Sequence, residues 1–124
     1  MAGSVATMLF AAAAALAILV PGQVEAREFQ RVATEAEFSA TVVGRSLSRM
    51  GIRLNVTPDG DITGRAFGRD VTGEWTWQSG HFCRTLRFGG SDLGYNCQMV
   101  LRDGNTVRFI ADEGRGDFAD LRLR

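Results

Sequence analysis

The chain has 124 residues, with 14 arginines, no lysine, 14 acidic residues and one histidine, and so carries no formal net charge. Its arginines and acids are interspersed rather than gathered in blocks, a pattern of a solvated surface that argues against nucleic-acid binding. Two cysteines and one histidine are too few for a structural zinc site, and no Cys-x-x-Cys pair is present for redox work.

The chain opens on an apolar run from residue 9 to residue 20, too short for a comfortable transmembrane helix. Pro21-Gly22 follows, then Val24-Glu25-Ala26, which places small or modest side chains at the −3 and −1 positions of a cut after Ala26. Residues 1–26 are therefore expected to be a cleaved signal peptide, leaving residues 27–124 as a single domain with a modest core and no stable membrane insertion. That product has 14 arginines against the 14 acids less Glu25, a balance of about +1. Periplasmic or secreted localisation follows, and in such a compartment Cys83 and Cys97 are expected to pair.

Thr34-Glu35-Ala36-Glu37 has the form of a capping box, with Glu37 at N3, and predicts a helix over about residues 35–43 with Phe38, Val42 and Val43 on its apolar stripe. The β-branched residues of the same stretch favour a strand as the rival. From Gly51 the period becomes two: Ile52, Leu54 and Val56 share one face, Arg53, Asn55 and Thr57 the other. Pro58-Asp59-Gly60-Asp61 predicts a turn, residues 62–67 a returning strand, and Gly68-Arg69-Asp70 a second turn. Strands over 71–78 and 81–88 flank the turn Ser79-Gly80. Residues 89–94 are expected to be a loop, and 95–101 a strand with Tyr95, Cys97, Met99 and Leu101 on one face. Residues 106–111 and 118–123 complete the pattern, separated by an acidic, glycine-rich loop over 112–117. This predicts a mainly β fold: a small antiparallel up-and-down barrel, or a strongly curved sheet, of about seven to eight strands with a short N-terminal helix.

Trp75 and Trp77 lie two apart and share a strand face. They are either core or an aromatic platform for a ligand or partner. Arg84 shares a face with Phe82, Leu86 and Phe88, so an inward arginine there needs a carboxylate, a solvated barrel mouth or an anion. Trp75, Trp77, Arg84 and Tyr95 are the candidate binding residues, for an unidentified protein or small ligand. His81 has neither a neighbouring nucleophile nor further ligands in sequence, and no catalytic residue, metal site or cofactor is assigned. The loop over 112–117 matches no standard calcium loop.

The set Gly51-Ile52-x-Leu54, Asp59-Gly60-x-Ile62-x-Gly64, Gly73-x-Trp75-x-Trp77, Phe82-Cys83-Arg84, Cys97 and Val107-Arg108-Phe109 resembles small exported alphaproteobacterial proteins, some of them labelled dihydrodipicolinate reductase. The resemblance brings no activity that transfers residue by residue. Such a reductase needs a dinucleotide fold with its glycine fingerprint, for which this chain has neither the motif nor the length. In shape the chain is also similar to lipocalin-like periplasmic protease inhibitors, which implies that residues 27–34 would plug a protease. The leading expectation is a non-enzymatic, disulfide-stapled binding domain. A protease inhibitor, a structural envelope protein and a small hydrolase are the alternatives.

Overall fold

In the computed structural model, which describes residues 28–124, strand and tight turn alternate almost throughout. The expected signal peptide over residues 1–26 lies outside the described residues. Strand β1 (Gln30–Val32) precedes helix α1 (Glu35–Thr41). Then come β2 (Ser46–Arg49), β3 (Ile52–Val56), β4 (Asp61–Ala66), β5 (Arg69–Gln78), β6 (His81–Phe88), β7 (Ser91–Asp103) and β8 (Thr106–Ile110). A single turn, α2 (Ala111–Gly114), leads to β9 (Phe118–Leu123).

Strands β2 to β9 pair antiparallel in chain order, and β9 returns to β2 through Leu47↔Leu123 and Ser48↔Arg122, closing an eight-stranded barrel. The ninth strand, β1, lies against Val100–Arg102 of β7, on the side that β6 uses farther along the strand. The expected up-and-down barrel is thus present and closed. The sheet curls tightly where glycine lets two backbones approach. A Cβ on Gly64 would sit 2.1 Å from the Arg53 carbonyl oxygen, and one on Gly73 would sit 2.1 Å from that of Thr85.

Helix α1 forms as its capping residues require. The Thr34 hydroxyl accepts from the Glu37 amide at 3.1 Å, and Gly44, at φ 83°, carries the chain out of the helix. The rival strand over this stretch is absent. Phe38, fully buried, projects from the helix into one end of the barrel, with ring centroids 5.4 Å from Trp75, 5.2 Å from Trp77 and 4.9 Å from Phe82. Val42, Leu47, Val100 and Val107 complete the buried layer around it.

The second turn is Phe67-Gly68, both at positive φ, with Arg69 and Asp70 already paired in β5 rather than in the expected turn, and four further features differ from the sequence reading. Strands β1 and β2 are too short, at 3 and 4 residues, to show alternation. Strand β7 begins at Ser91, inside the expected loop, and pairs with β6 through a bulge beside Leu86 and Arg87. Within the expected loop over 112–117, Asp112 and Glu113 adopt left-handed backbone conformations (φ 54° and 57°). The Asn96 side chain holds Asp112 from both sides, donating to its carboxylate at 2.8 Å and accepting from its amide at 3.0 Å. Finally, β7 turns its more polar set, Asn96 and Gln98 with Val100, toward the barrel. Tyr95, Cys97 and Met99 face outward, where α2 packs over Met99.

Candidate ligand-binding cavity

The barrel does not fill completely. A cavity of about 190 Å³ remains between the aromatic plug and the far end. Its floor is buried: Leu47, Val56, Ile62, Phe82, Phe109 and Leu121. Its mouth is reached by solvent and lined by Arg49, Ile52, Leu54, Arg84, Leu86, Gln98 and Ala119. The gradient runs away from α1, so the helix stoppers one end and the mouth lies at the other. Strand lengths shape that mouth. Strands β8 and β9 begin their pairing with Ile110↔Phe118, level with Met99, whereas β6 and β7 continue to Phe88↔Ser91.

Arg84 is the distinctive side chain in this setting. It is directly opposite Trp75 on β5 and Asn96 on β7, on the inner face. Among the described residues, its one hydrogen bond is from Nη1 to the Gly94 carbonyl at 3.0 Å. No acidic residue lines the cavity, and no salt bridge involves Arg84 among the described residues. Burial lowers its pKa from the ordinary arginine value, because the charged form has left part of its hydration behind. Arg49, at the end of β2, adds a second cation to the mouth, and Gln98 adds an amide that both donates and accepts. An apolar pocket with a few convergent polar groups is the usual form of a small-molecule site.

The four candidate residues do not gather into one cluster. Trp75 and Trp77 sit at the plugged end: Trp75 is buried, its Nε1 donates to the Thr57 carbonyl at 2.9 Å, and neither ring lines the cavity. Tyr95 is on the outer surface, 59% exposed, where its hydroxyl accepts from Gln78 Nε2 at 3.4 Å and lies 3.4 Å from Cys97 Sγ. Only Arg84 lines the cavity. The Cys83–Cys97 disulfide forms as expected, joining directly paired residues of β6 and β7 on the outer face behind Arg84. His81 places Nε2 3.3 Å from an Arg31 nitrogen and Nδ1 3.8 Å from a Glu113 carboxylate oxygen, with no nucleophile at either atom among the described residues. Among the described residues, no group of three or more histidine, cysteine or acidic side chains is arranged to hold a metal ion.

Sequence reasoning missed Arg49 and Gln98. Arg49 alternates with Leu47, but only within a strand too short to stand out. Gln98 belongs to the β7 face that reads as solvent-facing until the cross-strand register with Phe82 is known. Comparison of the chain with protein-family models, curated proteins and solved structures returns no match.

Proposed function

We propose that this protein is an exported, non-enzymatic binding barrel that holds a small ligand with an apolar body and an anionic group. The observation that carries the reading is Arg84: a half-buried guanidinium on the wall of an apolar cavity, with a backbone carbonyl as partner and, among the described residues, no acid beside it. A buried charge is costly unless paired, and an anionic ligand supplies the pair. The cavity, at about 190 Å³, is smaller than the roughly 300–1,000 Å³ of drug-sized pockets, which suits a short chain or a single ring. The disulfide supports residence in an oxidising compartment, the periplasm or the exterior. The protease-inhibitor reading needs a free N-terminal arm. In its segment, Gln30–Val32 is instead strand β1, with Val32 buried, which favours the ligand reading.

The test is titration of the oxidised protein with hexanoate, octanoate and benzoate, followed by calorimetry and by NMR of the side-chain methyl groups. Saturable binding that shifts Leu54, Leu86 and Ala119 while sparing the exposed Leu93 is expected. If no carboxylate moves the cavity methyls, or if octanol binds as well as octanoate, the reading fails.

A further inference from the structure

The register of the barrel assembles a cationic row that the linear sequence conceals. Ser48 of β2 pairs with Arg53 of β3 on one side and with Arg122 of β9 on the other, and Arg53 pairs with Arg65 of β4. Arg122, Ser48, Arg53 and Arg65 therefore stand in line on the outer face of four consecutive strands. With neighbouring strands about 4.8 Å apart, the row spans roughly 14 Å. Arg49 and Arg124 flank it in the same open groove, and no acidic residue lines that groove. Arg65 is bridged to Asp70 at 2.7 Å, while Arg53, Arg122 and Arg49 form no salt bridge among the described residues. Like charges directly across a strand pair destabilise a sheet, so the fold itself gains nothing from setting Arg53 opposite Arg65.

Two apolar tips border the same edge. The β2–β3 turn exposes Met50 (93%), and the β4–β5 turn exposes Phe67 (70%). The pairing Ile52↔Ala66 places these turns side by side, and the Phe67 ring lies over Gly51. Arginine cations beside exposed apolar side chains match a surface that is anionic at its headgroups and apolar just beneath them. A nucleic acid offers the charge without an apolar layer to receive the exposed Met50.

We propose that the Arg122–Arg53–Arg65 row, with Met50 and Phe67 at its edge, is a docking face for an anionic lipid surface. Peripheral docking of this kind sets the cavity mouth, which shares Arg49 and Ile52 with the groove, beside the bilayer. It does not depend on what the cavity holds.

Vesicle co-sedimentation tests it, with the same chain throughout. The protein is expected to bind mixed phosphatidylcholine–phosphatidylglycerol vesicles, to ignore pure phosphatidylcholine, and to release as salt rises. The double variant Arg53→Ser/Arg122→Ser is expected to bind roughly 25-fold more weakly, from about fivefold per arginine near an anionic surface. Met50→Ser is expected to weaken binding further while leaving the salt dependence unchanged. Absence of binding to the mixed vesicles at low salt overturns the proposal. So does equal binding by the double variant, or retention of duplex DNA in preference to vesicles. Both arginines are exposed, so a wild-type circular dichroism spectrum is expected for the variant.

Discussion

Replacing Arg84 by methionine separates a ligand-binding arginine from a structural one. The substitution keeps an unbranched side chain against Phe82 and Leu86 and removes the guanidinium. What is lost is the 3.0 Å bond to the Gly94 carbonyl, about 1.5–3 kcal/mol for a hydrogen bond from a charged donor. What is recovered is the desolvation that holds the Arg84 pKa below its ordinary value, together with apolar packing where a charge had stood. These oppose each other, so the expected net change is within about 1 kcal/mol, or roughly 4–8 °C in Tm for a domain of this size. A base with a lowered folded-state pKa penalises folding at every pH at which it is charged, and that penalty lifts only as pH rises through the lowered pKa. Arginine stays cationic through the neutral range, so the difference between variant and wild type should be flat there. The assay is paired urea unfolding of both oxidised proteins at several pH values near neutral, alongside octanoate titration. Near-equal stability with binding abolished is the expected result. A stability loss above about 3 kcal/mol would instead mark Arg84 as a structural residue and refute the reasoning.

Other substitutions probe the scaffold. Phe38→Ala opens a hole among Trp75, Trp77 and Phe82 and should cost about 3–5 kcal/mol, with a red shift of tryptophan fluorescence as solvent reaches the plugged end. An unchanged emission maximum would show that the helix does not seal the barrel. Gly73→Ala drives a methyl group to within 2.1 Å of the Thr85 carbonyl oxygen, which is backbone and cannot swing aside. A loss of at least about 3 kcal/mol by thermal unfolding is expected, the upper range for overpacking. Cys83→Ala/Cys97→Ala removes a bridge between residues separated by 14 positions, for which loop closure gives roughly 3 kcal/mol. A midpoint in urea equal to that of the oxidised wild type would contradict it.

Much of the barrel is legible in the sequence because its signals are local. Alternation in Ile52–Val56, the Pro58-Asp59-Gly60 turn and the Thr34 N-cap each act within a few residues, and each appears in the structure, although the Glu37 carboxylate meets the Thr34 hydroxyl and not its amide. The cysteine pair is legible because the chain has two cysteines and its expected export favours their pairing. Arg84 is legible as an inward cation from its apolar face-mates alone. Features fixed by pairing between distant strands are not. Interspersed charges suggest a featureless surface, yet Arg53 and Arg122, far apart in sequence, meet across Ser48. The β7 faces mislead for a related reason. Tyr95, Cys97, Met99 and Leu101 form the more apolar set, but the disulfide partner and α2 cover part of it from outside. The barrel interior receives Val100 and the Gln98 amide, while the Asn96 amide is held by Asp112.

The seam between β2 and β9 has a consequence for how the protein assembles and breathes. Every other strand pair in the barrel joins neighbours along the chain and forms as a local hairpin. Closure rests on the two register pairs Leu47↔Leu123 and Ser48↔Arg122, with one further backbone bond from Arg124 to Ser46 at 2.9 Å. Contacts that close a long stretch of chain are the last to be rewarded in folding, and weakly paired edges are the first to exchange their amide protons. The seam is thus the natural opening of an otherwise continuous wall. It runs from the cavity floor at Leu47 to the arginine row at Ser48 and Arg122, so a single zipper of few bonds borders both the interior and the charged face.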